Sequence, residues 1–169
     1  MNQGMPTIEF RPAGREFLAC SCDLPEDWKI GEIPPEEPNF DDPTYFLPLA
    51  AAVSPDGAGA FTVGARMAYD DGTLLDWLQY LCAESNVAVE NIGRFEAGGL
   101  SGVRFEGVQR ADGAALRMNN LYIEDGGRLY AVCAMAAEAL YEPVAPALQS
   151  IVESFRLAQA NGPTVPLSR

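Results

Sequence analysis

Histidine is absent from all 169 residues. That absence excludes Ser-His-Asp and Cys-His catalysis, imidazole metal centres, and the side chain best suited to moving protons near neutrality. Lysine is nearly absent too: Lys29 stands alone beside ten arginines, and the 11 basic residues face 24 acidic ones for a net charge of −13. Sequence-independent binding to nucleic acid needs Lys and Arg to neutralise phosphates, so neither nucleic acid nor an anionic membrane surface is an expected partner. No phosphate-binding loop is present, because Lys29 follows no glycine run and precedes Ile30. The glycines at 98–102 lack G-x-S-x-G spacing, and no G-x-G-x-x-G follows a strand.

Long apolar runs are also missing. Residues 46–53 and 131–137 are far too short to span a bilayer. The opening Met1-Asn2-Gln3-Gly4-Met5-Pro6 has neither a charged start nor an apolar core, so the expected location is the cytoplasm. Cys20, Cys22, Cys82 and Cys133 form no C-x-x-C pair. Four thiolates would bind zinc only if the fold gathered all four, and buried reduced thiols are the expectation. Cys20 and Cys22, two apart on a strand, would face the same way at the edge of disulfide geometry. No cofactor is implied. An enzyme built on arginine, tyrosine and carboxylates stays open as an alternative, as does a small-ligand binder, but no constellation supports either.

What is present is organised around residues 45–82. Leu47, Leu49, Ala51 and Val53 alternate with Phe46, Pro48, Ala50 and Ala52, and Phe61, Val63, Ala65, Met67 and Tyr69 with Ala60, Thr62, Gly64 and Arg66. That is the strand period of two. Ser54-Pro55-Asp56-Gly57 supplies the turn. One face is bulky and the other small but hardly polar, which implies cover on both faces and lets a helix lie close over the small one. Asp70-Asp71-Gly72 ends the strand, and Thr73 with Asp76 makes a capping-box variant. These acids could suggest a cation site, but Leu74 and Leu75 stand where a calcium loop wants oxygens, which favours capping. Leu74, Leu75, Leu78, Leu81 and Cys82 form the apolar stripe of the helix, with Trp77 at its border.

Before this unit, residues 7–10 and 16–22 read as strands, and Trp28 as a core-edge anchor, with an exposed recognition aromatic as the alternative. After it, residues 87–96 form a weak strand and residues 101–109 alternate. Within 116–124 the apolar parity switches from Leu116 and Met118 to Leu121 and Ile123, which predicts a bulge near Asn119-Asn120. Glu124-Asp125-Gly126-Gly127 is a strong hairpin turn into residues 129–136, apolar on both faces and so central. The last helix is expected over 144–155 through Val144, Leu148, Ile151, Val152 and Phe155, with Pro143 and Pro146 before it or in its first turn. Residues 1–157 read as one domain and 158–169 as a flexible tail.

The segment 31–43, GEIPPEEPNFDDP, is a proline-rich acidic loop. Glu36, Glu37, Asp41 and Asp42 surround the apolar Ile33 and Phe40, and these six residues are the expected partner-binding set. Proline limits the freedom lost on binding. The competing reading is a solvated charge run with Phe40 pinning the loop to the domain. The expected partner is a protein with a basic or apolar surface, and a homodimer is compatible with the sequence.

The order of elements resembles the PsbP/Mog/DcrB-type superfamily. The resemblance rests on Leu24-Pro25-Glu26-Asp27-Trp28, the strand pair at 46–69, the helix at 73–84, the meander at 101–136 and Glu153-Ser154-Phe155. It implies an α+β fold, a central antiparallel sheet with helices packed on both faces. It also implies a largely non-catalytic role, since such relatives include extrinsic photosystem subunits, a Ran-binding protein, lipoproteins and chaperones that shelter apolar helices of type VI secretion effectors. The function expected for this chain is a non-catalytic protein-binding module, with an effector chaperone as the alternative.

Overall fold

A computed structural model describes residues 4–158 apart from Ala13, Pro35, residues 69–71 and Gly98, with the backbone alone for Ala97. The strands are β1 (Thr7–Phe10), β2 (Cys20–Asp23), β3 (Lys29–Ile30), β4 (Leu47–Val53), β5 (Gly59–Met67), β6 (Val87–Ala97), β7 (Leu100–Ala111), β8 (Ala114–Asp125), β9 (Arg128–Ala137) and β10 (Arg156–Leu157). Among the described residues two α-helices, α1 (Leu74–Glu84) and α2 (Tyr141–Ser154), accompany the strands. Seven strands form one antiparallel sheet in the order β3-β4-β5-β9-β8-β7-β6, and β1, β2 and β10 form a small second sheet.

The large sheet separates two cores. On one side Phe61, Val63, Leu121, Ile123, Val132 and Ala134 meet Leu148, Ile151 and Val152 of α2, and the small sheet joins them through Phe10, Cys20 and Cys22. On the other, Trp77, Leu78 and Cys82 of α1 meet Phe105, Met118, Tyr122, Leu129 and Ala131. Helices therefore lie on both faces, as the doubly apolar strands require. β9 takes the central position expected from its composition, and the turn before it is a two-residue one in which Gly126 and Gly127 carry φ of 58° and 80°. Packing at the edge of the α2 core is tight enough to demand glycine once: a Cβ on Gly59 would stand 2.7 Å from Val144 and 3.1 Å from Trp28. Trp28 itself is buried, an anchor of the core edge.

Local expectations meet several corrections. The bulge predicted at Asn119-Asn120 does not form, and β8 runs in unbroken register with β7 and β9. Because β8 is covered on both faces, its apolar residues can change side without a kink. Leu116 and Met118 lie on the α1 face, Leu121 and Ile123 on the α2 face, and each asparagine is buried on one side. Bulges occur instead in β4, between Pro48 and Ala50, and in β6, between Val89 and Asn91. The first puts Leu47, Leu49, Ala50 and Ala52 together in the α2 core and ends the strict alternation of that strand. Residues 16–18 form a single 3-10 turn rather than strand, which brings Leu18 inward.

The capping box of α1 is present: Thr73 Oγ1 accepts from Asp76 N at 3.1 Å and Asp76 Oδ2 accepts from Thr73 N at 3.2 Å. Asp70 and Asp71 lie outside the described residues. Trp77 is fully part of the α1 core, whereas Leu75 falls on a flank and is 42% exposed. α2 starts three residues early, so Pro146 sits in its second turn. The tail from 159 onward lies outside the described residues.

The four thiols do not meet. Cys20 and Cys22 belong to the α2 core, Cys82 and Cys133 to the α1 side, with the sheet between them. Burial pushes Cys20 and Cys22 up to about 12 and Cys133 to about 11. Leu78→Ala and Ile151→Ala, at fully buried positions in opposite cores, should each cost about 2–5 kcal/mol in chemical denaturation, since each opens a cavity in packed surroundings. Unchanged denaturation midpoints would show that neither helix packs as described.

Candidate functional site

The acidic loop connects β3 to β4. Its C-terminal end is fixed from inside by Arg66 of β5, a residue 5% exposed. The Arg66 Nη1 donates to the carbonyl oxygens of Pro43 at 2.8 Å, Tyr45 at 3.0 Å and Asp42 at 3.3 Å, and the guanidinium lies 5.9 Å from the centre of the Phe46 ring. Residues 42–45 bend into a turn closed by Tyr45 N donating to Asp42 O at 3.1 Å. Asp42 Oδ1 accepts from both the backbone N and the hydroxyl of Thr44, each at 2.8 Å. These two bonds hold the Asp42 carboxyl below its ordinary value, with Arg66 a lesser contributor. At the other end Gly31 N donates to Ala51 O at 2.9 Å.

The six expected residues divide by chemistry. Glu36, Glu37, Asp41 and Asp42 are exposed, while Ile33 and Phe40 are half-buried. Phe40 packs edge-on against Tyr45, with ring centres 5.6 Å apart, and so pins the loop to the domain. Ile33 and Glu36 share a shallow cleft of about 230 Å³ with Arg15 and Leu47. The apolar pair thus turns inward and the acids outward. Arg66 was missed by sequence reading, which placed it on the small face of its strand. The signal was an arginine at an otherwise small, uncharged set of positions, Ala60, Thr62 and Gly64.

Other polar groups serve the framework. Arg117 pairs with Glu90, the extra residue of the β6 bulge, and with Glu138 at 3.2 Å, and it covers the Tyr141 ring. Arg104 donates to Asn119 at 3.1 Å and pairs with Glu153 of α2 at 3.3 Å. Among the described residues no group of three or more Cys, Asp or Glu side chains could hold a metal ion. No helix among them is long and apolar enough to cross a membrane. A concavity of about 560 Å³ is an open groove where Leu74 and Leu75 of α1 overlook Ile92 and Val103.

The α1 face is covered unevenly. α1 lies over β6 and β7, with Trp77 reaching Tyr122 of β8 and Phe46. Over β4, β5 and β9 the cover expected for the small face is incomplete: Thr62 is exposed, Val53 is 41% exposed, and Ala51, Ala60, Cys133 and Met135 are half-buried. A helix about 10 Å wide cannot roof seven strands spaced about 4.8 Å apart.

At the level of sequence, no protein-family model and no curated protein matches the chain. Solved structures do match its fold. The solution structure of cyanobacterial PsbP (CyanoP) from Synechocystis sp. PCC 6803 superposes with a TM-score of 0.62 over 93% of this chain and 96% of that one, at 11% identity. LpqN of Mycobacterium tuberculosis, involved in cell envelope biogenesis, gives a TM-score of 0.58 over 90% of each chain at 14% identity. A Bacteroides thetaiotaomicron VPI-5482 protein gives 0.55 at 12% identity, over 92% of this chain but 49% of its own length. The chain therefore has a PsbP-like fold, the one its order of elements resembles.

Two outcomes test the loop geometry. Arg66→Met should cost on the order of 3 kcal/mol, because it removes the charged donor that ties partly buried loop carbonyls to the sheet, and should speed proteolytic cleavage within 31–46. Asp42, Asp56 and Asp76 all have folded values lowered by hydrogen bonds from 3.8, so their contribution to stability is present above that pH and is lost as pH falls through the lowered values. Denaturation midpoints measured downward from pH 4 should fall, and the fall should be shallower in Asp42→Asn.

Proposed function

We propose that this chain is a non-catalytic protein-binding module whose contact surface includes the acidic loop. The observation that carries the reading is the loop's construction: Glu36, Glu37, Asp41 and Asp42 stand exposed on a segment anchored at its C-terminal end by the buried Arg66 and by Phe40. A surface fixed before encounter loses less entropy on binding than a free one. The charges select a partner with a basic surface and speed its approach. The net charge of −13 weighs against nucleic acid and anionic lipid in the same reading. A cytoplasmic setting is part of this proposal, supported by four free cysteines, which suit a reducing compartment.

A second reading is favoured by the uncovered half of the α1 face. Small and apolar residues there leave room for one more helix beside α1, and Asn120 Oδ1, buried in the same cross-strand row as Thr62 and Cys133, accepts no hydrogen bond from the described residues. A chaperone that shelters an apolar helix, as in type VI effector secretion, would use such a face.

The two readings separate in one experiment on a partner recovered from the native host. Neutralising Glu36, Glu37, Asp41 and Asp42 together should slow association about tenfold and flatten its salt dependence, with thermal stability kept. Changing Glu84, Glu90, Glu138 and Asp125 instead gives a charge-matched control, and equal losses in both would remove the loop's claim. Thr62→Trp should abolish binding only if the open sheet face is the contact.

A further inference from the structure

The two edges of the large sheet are built differently. β3 is two residues long and the chain after it stays against β4 through Gly31. β6 is eleven residues long and, among the described residues, pairs with β7 alone, so its outer edge presents backbone groups that no described strand takes up. Long edges are templates for further pairing unless a bulge, a proline or a charge blunts them. The bulge at Glu90 blunts the first part of β6. From Asn91 onward the register with β7 is regular, and Asn91, Ile92, Arg94 and Glu96 are exposed.

We propose that β6 pairs antiparallel with β6 of a second copy of this chain, joining two seven-stranded sheets into one across a two-fold axis at Phe95. The choice of occupant follows from charge. A two-fold axis perpendicular to the sheet keeps side chains on their own face, so the axis must pass through a residue, and each choice sets the cross-strand pairs. Centring on Arg94 or Glu96 opposes like charges directly, and centring on Gly93 sets Glu90 against Glu96. Centring on Ile92 needs the bulged Glu90, which is already committed to Arg117. Centring on Phe95 sets Arg94 against Glu96 of the partner copy, twice, on the α1 face. Among the described residues neither Arg94 nor Glu96 has an ion-pair partner within the chain.

The apolar surface fits the same arrangement. Leu75 and Ile92, 42% and 41% exposed, flank the groove beside this edge, where the α1 helices of two copies would approach one another. The half-buried Phe95 meets its own counterpart at the axis on the opposite face. The net charge of −13 per chain opposes association at long range, so the dimer should tighten as salt rises toward the physiological range, where charges beyond about 8 Å are screened.

The test is sedimentation equilibrium of the full chain from micromolar to near-millimolar concentration at about 0.15 M salt. A monomer–dimer equilibrium is expected. Arg94→Glu and Glu96→Arg should each weaken it roughly tenfold by placing like charges opposite one another twice, and the doubly exchanged R94E/E96R should restore it. Thermal melts of dilute samples confirm that the exposed substitutions leave the monomer folded. A chain that stays monomeric overturns the proposal, whether or not another protein pairs with this edge. A dimer indifferent to the single substitutions, or one not restored by the exchange, also overturns it and places the contact elsewhere.

Discussion

The fold depends on a sheet that has to be dry on both sides at its middle. β9 is hydrogen-bonded to β5 and β8, with Tyr130, Val132 and Ala134 facing one core and Leu129 and Ala131 the other. With no solvent side, that strand can be stable only if both helices are in place. The arrangement also explains why polar groups beneath the helices are handled individually. Asn119 has Arg104, which in turn reaches α2, and Arg66 spends its donors on the carbonyls of a loop. The buried charge of Arg66 thus fastens a segment that lies outside the sheet.

Architecture was legible where chemistry was local. Thr73 and Asp76 announced the start of α1, the paired glycines after Asp125 announced a hairpin, and the apolar stripe at Leu148, Ile151 and Val152 announced the face of α2. The misreadings share a cause. A parity change in a strand means a bulge if one face is wet, but in β8 both faces are covered, so the same pattern fits an unbroken strand. Conversely, the bulges in β4, at Leu49, and in β6, at Glu90, leave little mark in hydrophobicity, because apolar and small residues surround the first and a charged residue occupies the second.

The candidate site was legible only in part. Its acids and its two apolar residues stand out in the sequence, and the structure gives them opposite directions, acids outward and Ile33 with Phe40 inward. What fixes the loop was not legible, because Arg66 lies more than twenty residues further along the chain and reaches the loop through its backbone carbonyls. The width of the sheet relative to one helix was likewise invisible until strand order was known, and with it the uncovered half of one face and the long outer edge.

The separation of the thiols by the sheet equips the molecule with two internal reporters. Cys20 and Cys22 can meet solvent only when the α2 side opens, and Cys82 only when α1 lifts. Labelling kinetics under native conditions would therefore distinguish one cooperative unit from two half-proteins that breathe at separate rates through a shared sheet. Helix loss on one side would then be seen at Cys82, or at Cys20 and Cys22, while the other side still reported the native state.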